Sequence, residues 1–252
     1  QHGGKAGHHK ISFTDKYETR ISDNYISWGW KNKKNKKIKN YGIIKNINKI
    51  SRNLERKTFG DKILFLMCEK GRFTSYFDFE INSKCLYSYY SETCPGFYNN
   101  LNKNLKKKLI YRVSSRNNFW NELDYIKKNC TKARLSYQRD EYMKLIKKSK
   151  IAVCSYLATT FLELMTANVP VLLFVPFPQK IYNNETLKNF KIMKKNNIFF
   201  DNYINAAKFI NNNWNRIDSW WLSKSVQQAR LHFLKSFSRE NKNLVNKIGN
   251  LI

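Results

Sequence analysis

The stretch from Ile151 to Pro178, IAVCSYLATTFLELMTANVPVLLFVPFP, decides the fold. Ile151-Ala152-Val153-Cys154 is a short apolar run that reads as a buried strand. After the polar break from Ser155 to Thr159, the apolar residues Phe161, Leu162, Leu164 and Met165 recur at helical spacing. Asn168-Val169-Pro170 predicts where that helix stops, because a residue before proline is driven out of the α region. Val171 to Val175 is then apolar throughout, as a second buried strand would be. Strand, short helix and strand with nothing spare predict a βαβ unit whose parallel strands are covered on both faces.

The chemistry of this unit is expected at its first turn. Thr160 and Glu163 have the spacing of a capping box, in which the hydroxyl accepts from the Glu163 N–H and the carboxylate reaches back. Ser155, Thr159 and Thr160 would then ring a helix N-terminus at the carboxyl end of a parallel strand. Such an end presents unpaired N–H groups and a partial positive charge, which suit a phosphate. Open α/β sheets also take their ligands outside the carboxyl ends of their strands. The spacing is equally met if Thr160 and Glu163 do no more than cap a helix.

On either side, apolar runs alternate with helical patterns. Upstream, Ile63–Met67, Leu109–Val113 and Ala133–Ser136 read as strands. Helices are expected through Phe97, Leu101 and Leu105, over Phe119–Lys128, and over Glu141–Lys148 with Asp140 as cap and Tyr142, Leu145 and Ile146 inward. The stretch Glu69–Pro95 has no dominant period. Downstream, Gln179–Ile192 continues as helix, Ile198–Phe200 is a last strand, Asn205–Asn211 a short helix and Asp218–Phe237 one long helix bearing Trp221, Val226, Leu231 and Phe233. The alternation predicts an α/β, doubly wound, Rossmann-like parallel sheet. Arg112, or Arg116 next to the cap candidate Asn117, stands near a strand end and could grip a phosphate bidentately.

The first ten residues, QHGGKAGHHK, hold three glycines and three histidines. Glycines at Gly3 and Gly4 would let a ligand approach the backbone, and His2 could accept a proton or meet a phosphate. A metal site from His2, His8 and His9 lacks a carboxylate and helical spacing, so no metal is expected; a flexible loop is the plain alternative. Ile21, Tyr25 and Ile26 are candidate core residues, and Trp28-Gly29-Trp30 a packed aromatic turn. Lys31–Asn40 reads as a solvated basic loop. The chain therefore divides into residues 1–58, an interdomain segment with the His-Gly-Gly loop and a basic linker, and residues 59–252, a Rossmann-like domain with C-terminal helices. It opens on Gln1 in mid-motif, as the C-terminal part of a longer protein would.

The formal net charge is +29 over 252 residues. Lysine far outnumbers arginine and is dispersed, as at Lys33-Lys34, Lys106 to Lys108 and Lys194-Lys195, whereas recognition surfaces favour arginine clustered on one element. A general compositional bias with no specific nucleic-acid partner is the expectation, and a basic nucleic-acid-binding protein the alternative. The charge favours anionic ligands and peripheral contact with an anionic membrane surface. No apolar run approaches the roughly 18 residues of a membrane span. The five cysteines are odd in number and form no C-x-x-C pair, which reads as a reducing cytoplasm without a disulfide framework or zinc site.

Gln1-His2-Gly3-Gly4, Trp28-Gly29-Trp30, Tyr111-Arg112, Ser155-Tyr156-Leu157-Ala158-Thr159-Thr160-Phe161-Leu162-Glu163 and Ala167-Asn168-Val169-Pro170, in that order and spacing, resemble a family of bacterial transferases from surface-carbohydrate gene clusters. That family is similar to GT-B glycosyltransferases and to CDP-glycerol glycerophosphotransferases. The resemblance implies the C-terminal half of a GT-B-type fold and transfer of a sugar, or a phospho-alditol, from a nucleotide-activated donor to a saccharide or lipid-linked acceptor of a surface polysaccharide. It makes Thr159, Thr160 and Glu163 the donor-side site, with Glu163 on ribose or sugar. It places Gly3, Gly4 and His2 at the interdomain cleft, His2 as base or phosphate stabiliser, and Arg112 facing the same cleft. It implies no bound metal or other cofactor. With the cysteine usage and the basic charge, the expected location is the cytoplasm, with peripheral contact at the inner face of the cell membrane. The loop after Gly4 departs from the family's pattern in carrying Lys5, His8 and His9, so a catalytically degenerate member is a further alternative.

Overall fold

The computed structural model describes residues 1–43, 60–68, 72, 83–113, 120–137, 142–176, 179–241 and 243–251. The expected boundary at 58–59, and Arg116, Asn117 and Asp140, lie outside them. Two short strands, β1 (Tyr25–Ile26) and β2 (Ile38–Lys39), pair in parallel near the start of the chain. The rest is built on one six-stranded sheet of β3 (Lys62–Leu66), β4 (Leu109–Arg112), β5 (Arg134–Ser136), β6 (Ser149–Cys154), β7 (Val171–Phe174) and β8 (Phe199–Phe200). Its order is β5-β4-β3-β6-β7-β8, every pair parallel. Counted within the sheet this is the 3-2-1-4-5-6 order of a doubly wound Rossmann-like domain, and its topological switch point falls between β3 and β6.

The apolar runs are continuous because both faces of the sheet are covered. Leu64, Leu66, Ile110, Ala152, Cys154, Val171 and Leu173 point to one core, which holds the Tyr142–Lys148, Thr159–Thr166, Asn184–Lys195 and Lys224–Phe237 helices. Ile63, Phe65, Leu109, Tyr111, Ile151, Val153, Leu172 and Phe174 point to the other, under the helices from Ser83 to Asn99 and Tyr203 to Asn213. Trp28 and Ile43 belong to the first core. The early segment is thus packed on the sheet domain rather than held apart from it.

Several elements differ from expectation, each for a local reason. The basic stretch Lys31–Asn40 contains β2, fixed by Tyr25 N–H donating to Lys37 O and Ser27 N–H to Lys39 O, each at 2.9 Å. The helix expected through Phe97, Leu101 and Leu105 is two pieces, Cys94–Asn99 and Lys103–Lys106, parted at an extended Asn102 whose N–H donates to Asn211 Oδ1 at 2.9 Å. Asp218–Phe237 likewise divides into Ile217–Leu222 and Lys224–Phe237 at an extended Ser223. Within the aperiodic stretch, a helix over Ser83–Ser88 runs through a π-helical turn, Tyr89–Thr93, into Cys94–Asn99. Such a turn shifts the side-chain phase, which erases the period a reader would look for.

Candidate functional site

The site grows from the junction of β6 and the Thr159–Thr166 helix, beside the switch point. The helix starts two residues earlier than the capping-box spacing predicts. Its N-cap is Ala158, in extended backbone and with no side-chain cap bond. Thr160 is therefore inside the first turn, and the Thr160–Glu163 capping box is not formed. The first N–H groups of a helix have no intrahelical partner, and Ala158 has no side chain to meet them. Thr159, Thr160 and Glu163 are all half-buried around this end.

What fixes the start is a contact from 155 residues away: Gly4 N–H donates to Thr159 Oγ1 at 2.8 Å. A Cβ at Gly4 would lie 2.5 Å from both Thr159 N and Cα and 2.9 Å from Leu162 Cδ1. Only glycine lets the loop lie this close to the helix. At Gly3 a Cβ would come no nearer than 3.7 Å to Thr159 Oγ1. The loop is anchored from behind as well. Gln1 Nε2 donates to Gly3 O at 2.6 Å, and Gln1 Oε1 accepts from Trp28 N–H at 2.8 Å and Trp30 Nε1 at 3.0 Å. His2 is exposed, two residues before the docked glycine.

Ser155 stands elsewhere than expected. It is fully buried, and its hydroxyl donates to Leu66 O at 3.0 Å. That commits its one proton, so Tyr89 donates to Ser155 Oγ, at 2.5 Å, while Tyr89 Oη accepts from Cys68 N–H at 2.9 Å. The chain Cys68–Tyr89–Ser155–Leu66 ties the ends of β3 and β6 together across the switch point. Ser155 is thereby a strut under the site, and its hydroxyl does not ring the helix end. Burial pushes the Tyr89 phenol far above its ordinary range, which keeps it a donor.

Arg112 ends β4, in register with Leu66 of β3, which in turn faces Cys154 of β6. Two residues past Ile110, its side chain lies on the same face as the Thr159–Thr166 helix. Arg112 Nη1 is buried without a hydrogen-bond partner. The hydroxyl of Tyr142, packed against the same core, is buried and unpartnered too. Its phenol is held far above its ordinary range, first by burial and then by the Glu163 carboxylate, with Arg112 pulling the other way. The sequence read Tyr142 as a core residue only; an unpartnered buried hydroxyl carries no signal in spacing.

The histidines do not converge. His8 is fully buried, its ring 4.0 Å from that of Phe237 and its Nδ1 3.3 Å from Thr186 Oγ1. Burial, and then His9, pull its pKa down to about 3. His9 instead lies against Tyr182, ring centroids 5.1 Å apart. Among the described residues no group of three His, Cys, Asp or Glu side chains is placed to hold a metal ion.

The strand order defines a Rossmann-like α/β domain with an uncapped helix N-terminus at its switch point. The chain belongs to the LIC12162 family of transferases, whose model matches residues 1–251. Among solved structures it is similar to TarM (13% identity, 96% of this chain and 46% of that one, TM-score 0.48). It is also similar to the wall teichoic acid polymerase TagF (14% identity, 96% of this chain and 61% of that one, TM-score 0.44). A third is UGT2 of Phytolacca americana, solved with UDP-2-fluoro-glucose and pterostilbene (11% identity, 94% of this chain and 54% of that one, TM-score 0.45). The chain thus spans 46–61% of the length of these structures. No curated protein sequence matches it. Among the described residues no helix is long and apolar enough to cross a membrane.

Proposed function

We propose that this chain is the donor-binding half of a GT-B-type transferase that moves a sugar or phospho-alditol from a nucleotide-activated donor to a surface-polysaccharide acceptor. The observation that carries the reading is the docking of the Gly3-Gly4 loop on an uncapped helix N-terminus at the switch point, with Gly4 N–H on Thr159 Oγ1 at 2.8 Å. Family membership supports the transferase part. An acceptor hydroxyl attacks the transferred carbon or phosphorus, and the bond to the departing nucleotide phosphate breaks. The electron pair ends on a phosphate oxygen, where the N–H groups of the first turn and Thr160 stabilise it. His2, exposed beside the loop, takes the acceptor's proton. Arg112 and Glu163, on the same face, hold the rest of the donor. No step uses a metal. The acceptor is saccharide or lipid-linked, and the basic surface favours a place at the cytoplasmic face of an anionic membrane.

The reading is tested by thermal denaturation with UDP, GDP, CDP and CMP and their sugar or glycerol conjugates. A ligand at a hundred times its dissociation constant stabilises by about 2.7 kcal/mol. One base that raises the midpoint in saturable fashion supports the proposal. A flat panel with a well-folded chain overturns it, and a steep salt-dependent affinity for any nucleic acid would favour the basic-protein alternative.

A further inference from the structure

The helix Phe13–Ile21 is amphipathic the wrong way round. An ordinary surface helix turns its apolar stripe to the core and its charges to water. Here Asp15, Glu18 and Thr19 face the protein. Asp15 Oδ2 accepts from Gly7 N–H at 2.9 Å, Glu18 Oε2 accepts from the Tyr25 hydroxyl at 3.1 Å, and Thr19 is buried. The opposite face carries Phe13, Tyr17 and Ile21, spaced i, i+4 and i+8 and so stacked along one side. With Ile11 just before the helix, these four side chains are 55–65% exposed. Singly, such residues are ordinary on a surface; several on one face mark a contact. The helix cannot simply turn to bury them, since that would take the two carboxylates away from Gly7 and Tyr25.

The charges are sorted in the same way. Both acids of the helix turn inward, while Lys16 and Arg20 are exposed, and helical spacing sets them along one flank of the apolar stripe. Lys10 is exposed just ahead of the helix, and at its far end Lys37 Nζ donates to Ser22 O at 2.9 Å. An apolar stripe with two aromatic rings and a cationic border matches the boundary of an anionic bilayer. The rings and Ile21 would enter the headgroup layer, and the cations would meet lipid phosphates. A second copy of the chain fits less well, because antiparallel pairing of two such helices sets Lys16 and Arg20 beside their own mates. We infer that the outward face of the Phe13–Ile21 helix is the seat of an anionic membrane surface, with Tyr17 and Ile21 inserted into it. This rests on the membrane placement under Proposed function and goes beyond it: that placement came from dispersed charge, whereas one apolar face is named here. Gly7, which Asp15 holds, lies three residues past the docked Gly4, so the loop that meets the Thr159–Thr166 helix also holds this face.

The probes are vesicles of equal parts phosphatidylglycerol and phosphatidylcholine, and vesicles of phosphatidylcholine alone, with binding read by cosedimentation at low and high salt. The variant is Tyr17→Gln with Ile21→Gln, which strips the apolar face and touches no inward bond. Both positions are exposed, so its melting midpoint should stay with that of the native chain. The control is Lys127→Gln with Lys128→Gln, two exposed cations on the Glu122–Asn129 helix. The native chain should bind the anionic vesicles, and part of that binding should survive high salt, because salt screens charge and not apolar insertion. The apolar variant should lose at least about tenfold in partitioning together with the whole salt-resistant part. The control should lose only salt-sensitive binding. Equal losses in the two variants, or none in the apolar one, would overturn the inference and leave the placement resting on charge alone. Absence of vesicle binding by the native chain would remove placement and inference together, while the donor-binding reading stands or falls by nucleotide binding. A native dimer in sedimentation velocity that the apolar variant splits would assign the face to a second copy and also overturn it.

Discussion

Replacing Gly4 by alanine perturbs the account at its narrowest point. The new Cβ would stand 2.5 Å from Thr159 N and Cα, backbone atoms of a helix that cannot yield as a side-chain tip can. The loop must retreat by about 1 Å to reach ordinary contact, and the 2.8 Å bond from Gly4 N–H to Thr159 Oγ1 is lost. A lost hydrogen bond costs about 0.5–1.5 kcal/mol and overpacking about 1–3 kcal/mol, so Gly4→Ala should cost about 2–4 kcal/mol. For a chain of this length that lowers the thermal midpoint by about 4–16 °C. Gly3→Ala is the matched control: its Cβ meets nothing nearer than 3.7 Å, and surface changes of that kind stay within about 0.5 kcal/mol. Differential scanning calorimetry of the two variants decides. Equal midpoints for Gly3→Ala and Gly4→Ala would refute the docking of this loop on the helix.

Other consequences are independent of that contact. Tyr89→Phe leaves Cys68 N–H without its buried acceptor and Ser155 Oγ without its donor, so urea denaturation should show a loss of about 1–3 kcal/mol. His8, with a folded-state pKa of about 3 against about 6.5 unfolded, binds its proton only when unfolded. Its contribution is therefore whole above pH 6.5 and falls as pH drops from there toward 3; at pH 5 the loss is about 2 kcal/mol. The difference in pH dependence between native and His8→Leu, read by urea midpoints at pH 7 and pH 5, should match that figure. Phe161→Ala, emptying a fully buried ring that packs on Phe233 at 5.6 Å, should cost about 3–5 kcal/mol by the same assay.

The sheet was legible because a parallel strand covered on both faces must be apolar along its whole length, and Ile63–Leu66, Leu109–Tyr111, Ile151–Cys154 and Val171–Phe174 all are. Helix breaks were less so. Asn102 and Ser223 interrupt apolar stripes whose phase runs on past them, and what holds Asn102 extended, the bond to Asn211, is a tertiary contact. The helix end that carries the candidate site was legible in place, but its capping was not. Thr159, Thr160 and Glu163 do stand at a helix end beside the switch point. The capping box failed because the helix begins before Thr160, with Ala158 as its N-cap, and local spacing could not register the glycine 155 residues distant that docks on this first turn. Ser155 was misassigned for the same kind of reason. Its partner Tyr89 sits in a π-helical turn where no period marks the inward face. Tyr142 looked like any core aromatic, because an unmet hydroxyl becomes visible only when its neighbours are known.

The central claim is that the first turn of the Thr159–Thr166 helix holds the donor's phosphates. Thr160→Glu tests it without unfolding the protein, since a carboxylate in the first turn favours the helix by about 0.3–1 kcal/mol. Against a phosphate about 5 Å away it costs about 3 kcal/mol per charge at an effective dielectric near 20, or more than about a hundredfold in affinity. Calorimetric titration of native and Thr160→Glu chains with the stabilising nucleotide is the direct measurement. The account predicts saturable binding to the native chain, and at least a hundredfold loss in a variant that melts no lower. An unchanged dissociation constant in Thr160→Glu would place the donor elsewhere and contradict it.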